Sequence, residues 1–140
     1  MRENIERRIG ELGIAGRTLL AGQQQNPEDW LQAMDIFCLP SYANEGVPQA
    51  MLQAMFTGLP IVTTPVGAIL EAVSDEEMAL VVPPRDAAKL SAALRRLTRE
   101  PRLGARLGQA ARERAFARFS QAAMLDRMEA VFANALEASA

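Results

Sequence analysis

Short apolar runs alternate with longer stretches of helical pattern over the first 84 residues. Four of these runs are bounded by turn-forming or charged residues and predict short buried strands, at residues 18–22, 35–40, 60–65 and 79–84. Strands that alternate with helices pair in parallel, because each crossover returns the chain to the same edge of the sheet. The pattern therefore predicts an α/β fold on a parallel sheet of about four strands.

Residues that favour helix ends separate these runs. Asn26 is suited to cap a helix whose first residue is Pro27. Pro48 suits the first position of a second helix, which Gly58 would end in the left-handed conformation. These signals place one helix before and one helix after the strand at 35–40.

The C-terminal third predicts three successive helices with no strand among them. Asp86 would cap the first, which runs from Ala87 to about Arg99, and Pro101 would open the second, which reaches about Arg118. Ser120 would cap the third, over residues 121–138. The chain thus divides into an α/β part, 1–84, and a tail of C-terminal helices, 85–140, within a single domain over 1–140.

The last of these helices carries an apolar stripe. Its members recur near helical spacing and are Met124, Met128, Val131, Phe132 and Leu136. Packing against the chain's own domain is the favoured interpretation. The alternative is a stripe without a partner, which would favour self-association.

Composition excludes several kinds of chemistry. The chain has 140 residues, of which 49% are apolar, and no histidine, so it holds no Ser–His–Asp or Cys–His pair and no histidine-bound zinc. Its single cysteine, Cys38, lies in an apolar run and is predicted to be a small buried hydrophobe in a reducing, cytoplasmic setting. The uncharged run 46–70 contains three prolines and three glycines, which argues against a membrane-spanning helix.

Charge is distributed unevenly along the chain. Residues 85–118 hold ten basic and three acidic residues, a net charge of +7, so the remainder carries −9 within the total of −2. Solvated helix faces are the simpler interpretation. The alternative is peripheral attraction to an anionic membrane surface or a phosphorylated acceptor. Nucleic acid is not expected, because Phe116 is the one aromatic residue in this segment and Phe119 follows directly after it.

The loop at residues 41–48 is the strongest candidate for a binding site. Ligands of open parallel sheets bind beyond the carboxyl ends of the strands, and this loop follows the strand predicted at 35–40. The backbone N–H groups of Gln49, Ala50 and Met51 are predicted to be free in the first turn of the next helix, which suits a phosphate.

Polar side chains in and after this loop complete the candidate site. Glu45 offers acceptors for sugar hydroxyls or negative charge beside a developing cation, and Gly46 allows close approach of the backbone. Gln49 and Gln53 are one helical turn apart on the same face. The spacing leaves two interpretations open: both glutamines face a ligand, or both are simply exposed and Glu45 is an ordinary loop acid.

The stretch "PSYANEGVPQAMLQAMFTGLPIVTTPVGAILEAV" resembles the donor-binding signature of family four of the retaining nucleotide-sugar glycosyltransferases (glycosyltransferase group 1), which have the GT-B fold. The matching residues are Pro40, Ser41, Glu45, Gly46, Ala54, Met55, Gly58 and Pro60. The resemblance extends through Gly22, the Val-Gly pair at 66–67, "VVPP" at 81–84 and "ARERAFARFS" at 111–120. It covers nearly the whole chain.

The resemblance implies a role for each of these residues. Glu45 would be the catalytic carboxylate that contacts the transferred sugar, and the backbone near Val47, Gln49 and Ala50 would hold sugar hydroxyls and the diphosphate. Gln53 takes the place of the family's usual ribose-binding glutamate. Gly22, Ser41, Gly46 and Pro48 complete the implied donor-binding set.

The implied activity is transfer of a glycosyl group, with retention, from a UDP- or GDP-sugar to a saccharide or lipid-linked acceptor. The donor is a co-substrate, and neither a cofactor nor a metal is expected. The alternative is a non-catalytic module that binds a nucleotide-sugar or assembles with a partner. Ala68 departs from the family, which usually has a second glycine there.

The resemblance covers only the later part of the family's second domain. We therefore expect an incomplete Rossmann-like, doubly wound sheet that is truncated at its N-terminus and forms part of one half of a GT-B enzyme. Without the N-terminal acceptor domain, the chain is expected to be inactive. In the resembled sheet, two strands lie between the strands at 18–22 and 35–40. The strand at 18–22 should therefore pair directly with 35–40 or leave an exposed edge, which would favour a homodimer.

Overall fold

The computed structural model describes residues 2–43 and 45–137, and within them the chain forms α-helices, one 3₁₀ turn and a small β-sheet. The elements in chain order are α1 (Arg2–Glu11), a 3₁₀ turn (Ala15–Arg17), α2 (Pro27–Gln32), β1 (Phe37–Leu39), α3 (Gln49–Thr57), β2 (Ile61–Thr63), α4 (Ile69–Ala72), β3 (Leu80–Val81), α5 (Ala87–Arg99), α6 (Pro101–Phe119) and α7 (Gln121–Glu137).

The three strands form a parallel sheet in the order β1-β2-β3, as the alternation of strands and helices predicts. β2 is the central strand and is buried at every position. Its alternate side chains enter different clusters: Ile61 packs with residues of α3 and α6, and Val62 packs with residues of α5. Helices therefore cover both faces of the sheet, which is the doubly wound arrangement.

The strand predicted at residues 18–22 is not formed. Thr18 has extended backbone angles, but the segment joins no ladder, and Leu19 is 75% exposed. An extended segment becomes a strand only when a neighbour takes up its backbone N–H and C=O groups, and no such neighbour lies among the described residues. The sheet consequently has three strands rather than about four, and β1 is paired on one side only within the described residues.

Each observed strand is shorter than the apolar run that predicts it. Prolines bound the runs at Pro40, Pro60, Pro65 and Pro83, and proline has no N–H to donate to a ladder. The carbonyl of Pro60 still accepts a hydrogen bond from the Phe37 N–H at 3.0 Å, just before β2 begins.

The predicted caps of the C-terminal helices are confirmed. Asp86 Oδ1 accepts a hydrogen bond from the Lys89 N–H at 2.9 Å, and Ser120 Oγ accepts one from the Ala123 N–H at 3.2 Å. Pro101 is the first residue of α6. Ala138, the predicted last residue of the final helix, lies outside the described residues.

The earlier helix ends follow the prediction less closely. Gly58 ends α3 in the left-handed conformation with φ 77°, as expected. Pro48 lies one position before α3 rather than at its first position, and Asn26 precedes α2 without a side-chain capping bond.

The stripe on α7 does not pack against the domain as favoured above. Its side chains are between 47% exposed, at Met128, and 74% exposed, at Leu136. Leu125 extends the same surface. Met124 and Met128 line a cleft with Leu52 and Phe56 of α3, and the remaining stripe residues are more exposed.

Cys38 is half-buried in β1, and burial raises the pKa of its thiol. This position agrees with a packing role, because a raised pKa disfavours the nucleophilic thiolate. Among the described residues, no helix is both long and apolar enough to cross a membrane.

Two glycines of α6 lie against the segment that links α3 to β2. A Cβ on Gly108 would lie 2.1 Å from the carbonyl oxygen of Gly58, whereas a Cβ on Gly104 would make ordinary contact with Pro60 at 3.5 Å. Leu107 and Ala111, which flank Gly108 on the same face, are fully buried. The Gly108 contact therefore sets how closely α6 approaches the end of α3.

We predict that Gly108→Ala lowers the free energy of unfolding by about 1–3 kcal/mol, because α6 must move away from the Gly58 carbonyl. Gly104→Ala is the matched control: it should be neutral or up to about 1 kcal/mol stabilising, since alanine favours helix. Urea denaturation of both variants provides the measurement. Equal stability of the two variants would contradict the packing argument.

Candidate functional site

The loop between β1 and α3 lies at the carboxyl edge of the sheet, where the sequence predicts the site. Within it, the Ser41 hydroxyl donates a hydrogen bond to Glu45 Oε1 at 2.7 Å. Glu45 is half-buried, and none of the described residues forms an ion pair with it. One carboxylate oxygen is thus oriented by the protein, and the other has no partner among the described residues.

Two buried hydroxyls at the end of β2 hold this loop in place. Thr64 Oγ1 donates to the backbone carbonyl of Ser41 at 2.6 Å, and Thr63 Oγ1 donates to that of Leu39 at 3.0 Å. These threonines were not among the predicted site residues. The available signal was the pair of hydroxyl residues at the end of an otherwise apolar strand, since a buried hydroxyl needs a hydrogen-bond partner.

The segment after β2 holds the backbone of Glu45. The Ala68 N–H donates to the Glu45 carbonyl at 3.0 Å. Gly67 has φ 57°, and a Cβ built there would lie 1.8 Å from the same carbonyl oxygen. Only glycine fits such a close approach in the left-handed conformation. Ala68 has φ −92°, which any residue adopts, so alanine is accommodated where the resembled family has its second glycine.

The first turn of α3 provides fewer free amides than predicted. The Met51 N–H donates to the carbonyl of Pro48 at 3.0 Å, so the expectation of a free amide there was wrong. The reason is that Pro48 already acts as the cap, and its carbonyl takes up the first available donor. The amides of Gln49 and Ala50 donate to no carbonyl of the described residues.

The residues on either side of this turn differ in burial. Val47 is half-buried and packs against the main core cluster, and this contact fixes the position of the turn. Gly46 is exposed, with open space where a side chain would be. The backbone before α3 is therefore both anchored and accessible to a ligand.

Gln49 and Gln53 are both exposed, so the alternative of simple exposure describes their burial correctly. The structure also shows a cleft beside Gln53, which the residue spacing did not predict. Gln53 lines a cleft of about 290 Å³ together with Ala50 and Gly22, which has φ 67°. Residues 22 and 53 are thus brought together although they are far apart in sequence.

Glu45 lies outside this cleft, in a separate depression. Its lining residues include Ser41 and Tyr42, and its volume is about 370 Å³. The predicted residues therefore form two separate groups, which share no lining residue, rather than one closed pocket. One group offers an oriented carboxylate, and the other offers free amides and a polar side chain beside a cleft.

Metal ligation is not a feature of the described residues, which contain no group of three or more Cys, Asp or Glu side chains placed to hold an ion. The acidic segment at 74–77 is mostly exposed. Within it Glu76 pairs with Arg96 of α5, and this guanidinium lowers the pKa of the Glu76 carboxyl.

A parallel, doubly wound sheet with a carboxylate and free helix amides at its carboxyl edge defines a class of nucleotide-binding folds. Comparison with known proteins narrows that class. A family model described as "Glycosyl transferases group 1" matches residues 1–100. The chain belongs to this family.

Individual relatives agree with the family match. The chain is 38% identical over 104 residues to the lipopolysaccharide core biosynthesis mannosyltransferase LpsB of Rhizobium meliloti, an alignment that covers 72% of the chain and 29% of LpsB. Among solved structures, it is similar to the sucrose-phosphate synthase of Thermosynechococcus elongatus, with a TM-score of 0.86, 29% identity, and coverage of 98% of this chain and 35% of that one.

HepE of Anabaena, solved in complex with UDP, has the same fold, with a TM-score of 0.90 at 19% identity and coverage of 94% of this chain and 36% of HepE. These structural neighbours are GT-B glycosyltransferases, which confirms the expected fold class. The chain spans about a third of the length of such relatives.

We predict that Gly67→Ala displaces the Glu45 carbonyl and destabilises the chain more than positive φ alone explains. Gly13→Ala is the control, because Gly13 has φ 65° with nothing within 4 Å of an added Cβ. It should cost about 1–2 kcal/mol, and Gly67→Ala should cost at least about 1 kcal/mol more. Thermal unfolding of both variants checks the difference, and equal losses would show that the carbonyl contact is unimportant.

Proposed function

We propose that this chain is the donor-binding part of a glycosyltransferase and binds a nucleotide-sugar at the carboxyl edge of its sheet. The observation that carries the proposal is the fixed position of Glu45. Its side chain is held by the Ser41 hydroxyl and its backbone by the Ala68 amide. This carboxylate lies just before the free amides of Gln49 and Ala50, so one ligand with a sugar and a diphosphate matches both.

The diphosphate of the donor is assigned to the first turn of α3. Its amides carry the partial positive charge of a helix N-terminus, which attracts phosphate. Exposed Gly46 leaves the approach open. HepE, whose fold is similar, was solved in complex with UDP, which supports a nucleoside diphosphate as the ligand class.

The ribose is assigned to the cleft formed by Gly22, Ala50 and Gln53. The amide of Gln53 accepts and donates hydrogen bonds, so it fits a pair of ribose hydroxyls. A carboxylate would bind the same hydroxyls more strongly through charge-assisted bonds. The proposed ribose contact is therefore of moderate strength.

Glu45 is assigned to the transferred sugar. The bond between the sugar and the diphosphate breaks, the nucleoside diphosphate leaves with the electron pair, and positive charge develops on the sugar carbon. A carboxylate beside this carbon stabilises that charge. The acceptor hydroxyl then bonds to the same carbon, and its proton passes to the departing diphosphate. Retention of configuration is part of the proposal by family resemblance.

The main part of the acceptor site is assigned outside this chain. The chain spans about a third of the length of LpsB, so the remaining two thirds of such a protein are available to bind the acceptor. We propose a saccharide or lipid-linked acceptor of polysaccharide biosynthesis, because LpsB is a mannosyltransferase of lipopolysaccharide core biosynthesis. The chain alone is then inactive in transfer.

Titration of the chain by calorimetry with UDP, GDP and ADP, and with their glucose and mannose conjugates, tests the proposal. Glu45→Ala should weaken binding of the preferred nucleotide-sugar about tenfold or more and leave the free nucleotide unchanged, because only the sugar contacts Glu45. Glu71→Ala is the matched control, since Glu71 is the next acidic residue and is exposed. Equal effects of the two substitutions, or no nucleotide binding at all, would contradict the proposal.

The assignment of Gln53 to the ribose predicts the direction in which nucleotide affinity changes when this residue is substituted. Gln53→Glu should strengthen binding of the free nucleotide about fivefold, because a carboxylate forms charge-assisted bonds with ribose hydroxyls. Gln49→Glu, one turn closer to the proposed diphosphate, should weaken it through repulsion. Calorimetric affinities of both variants provide the measurement. The same direction of change in both would place the ribose elsewhere.

A further inference from the structure

Arg85, in the loop between β3 and α5, has an unusual backbone conformation. Its φ is 62°, in the left-handed region that residues with a Cβ avoid. Such a conformation in a long, charged residue points to a use for the side chain in this place, because glycine would occupy it without strain.

The guanidinium of Arg85 lies over the ring of Tyr42, with its carbon 5.0 Å from the ring centroid. It donates no hydrogen bond and forms no ion pair within the part of the chain that the structure describes. The adjacent carboxylate, Asp86, instead accepts from the Lys89 N–H. The aromatic ring thus positions the guanidinium, and its N–H donors remain available to a ligand.

This pair borders the candidate donor site. Arg85, Tyr42 and Thr64 line a cleft of about 190 Å³, and Tyr42 also lines the depression that contains Glu45. Arg85 is the one cation among the described residues that line these two spaces. Because Glu45 and Asp86 would otherwise repel an anion here, Arg85 determines whether an anionic group is tolerated.

The order of groups along the sheet edge indicates which part of a ligand would reach Arg85. The cleft with Gly22 and Gln53 lies beyond β1, Glu45 follows β1, and Arg85 follows β3 at the opposite end of the sheet. Parallel strands are about 4.8 Å apart, so the distance from β1 to β3 is about 10 Å. A donor with its nucleoside near Gln53 and its sugar near Glu45 extends toward Arg85.

We propose that Arg85, positioned by Tyr42, binds an anionic group of a saccharide substrate, either a carboxylate or a phosphate. Both groups match the planar fork of a guanidinium, which binds two oxygens at once. The proposal rests on the proposed function for the order of nucleotide and sugar. It makes Arg85 a specificity-determining residue that selects acidic over neutral saccharides.

Calorimetric titration of the full chain separates the two sources of the anion. UDP-glucuronic acid is compared with UDP-glucose for an anionic donor sugar, and glucose 6-phosphate with glucose, in the presence of UDP, for a phosphorylated acceptor. The chain should bind one acidic ligand at least about tenfold more tightly than its neutral counterpart. Arg85→Gln should abolish that preference without changing the affinity for UDP.

Two further variants exclude a merely structural role. Arg85→Gly should keep or raise the thermal midpoint, because glycine relieves the positive φ, and should still lose the preference. Arg112→Gln is the matched control: Arg112 also lies over an aromatic ring, that of Phe116 at 5.6 Å, but on α6 and away from the sheet edge. It should keep the preference.

Each outcome decides the proposal. Nucleotide binding without any preference for an acidic ligand, or a preference that Arg85→Gln leaves intact, overturns it while the proposed function stands. If UDP does not bind, the proposed function fails. Binding of glucose 6-phosphate or free glucuronate that depends on Arg85 would then still support this inference, and its absence would overturn it.

Discussion

The contact between the ends of β1 and β2 is the constraint on which the rest of the site depends. The loop after β1 carries Glu45, and the loop after β2 carries Gly67 and Ala68, whose backbone lies directly against the Glu45 carbonyl. Neither loop has regular structure of its own, so their positions depend on this contact and on the bond from Thr64 to Ser41. Polar backbone groups that are removed from water need such partners, and here each loop supplies them to the other.

Burial of β2 makes this contact stable. The strand is covered on both faces, by α3 and α6 on one side and by α5 on the other, and it carries no charged residue. Neighbouring parallel strands end at the same edge, so residues far apart in sequence meet there without any direct preference for each other. The same geometry brings together Tyr42 and Arg85, which lie in the loops after β1 and β3, so that the guanidinium lies over the ring.

Sequence patterns predicted those features that depend on local chemistry. Asp86, Ser120 and Gly58 act at helix ends as their residue types indicate. Features that depend on distant partners were not predictable. The apolar run at 18–22 has the composition of a strand but finds no neighbour to pair with among the residues that the structure describes. Likewise, nothing local shows that the Met51 amide is already bonded. The role of Glu45 was predicted from family resemblance, whereas its hydrogen bond to Ser41 depends on how the loop folds.

The close approach of α6 to the end of α3 links the helical tail to the ligand site energetically. α3 presents its first turn to the proposed diphosphate and contacts Gly108 of α6 through Gly58 at its other end. Any ligand that binds only the native arrangement of α3 lowers the population of locally opened states that separate these helices. Slower amide hydrogen exchange in the middle of α6 would then report occupancy of a site at the opposite end of α3.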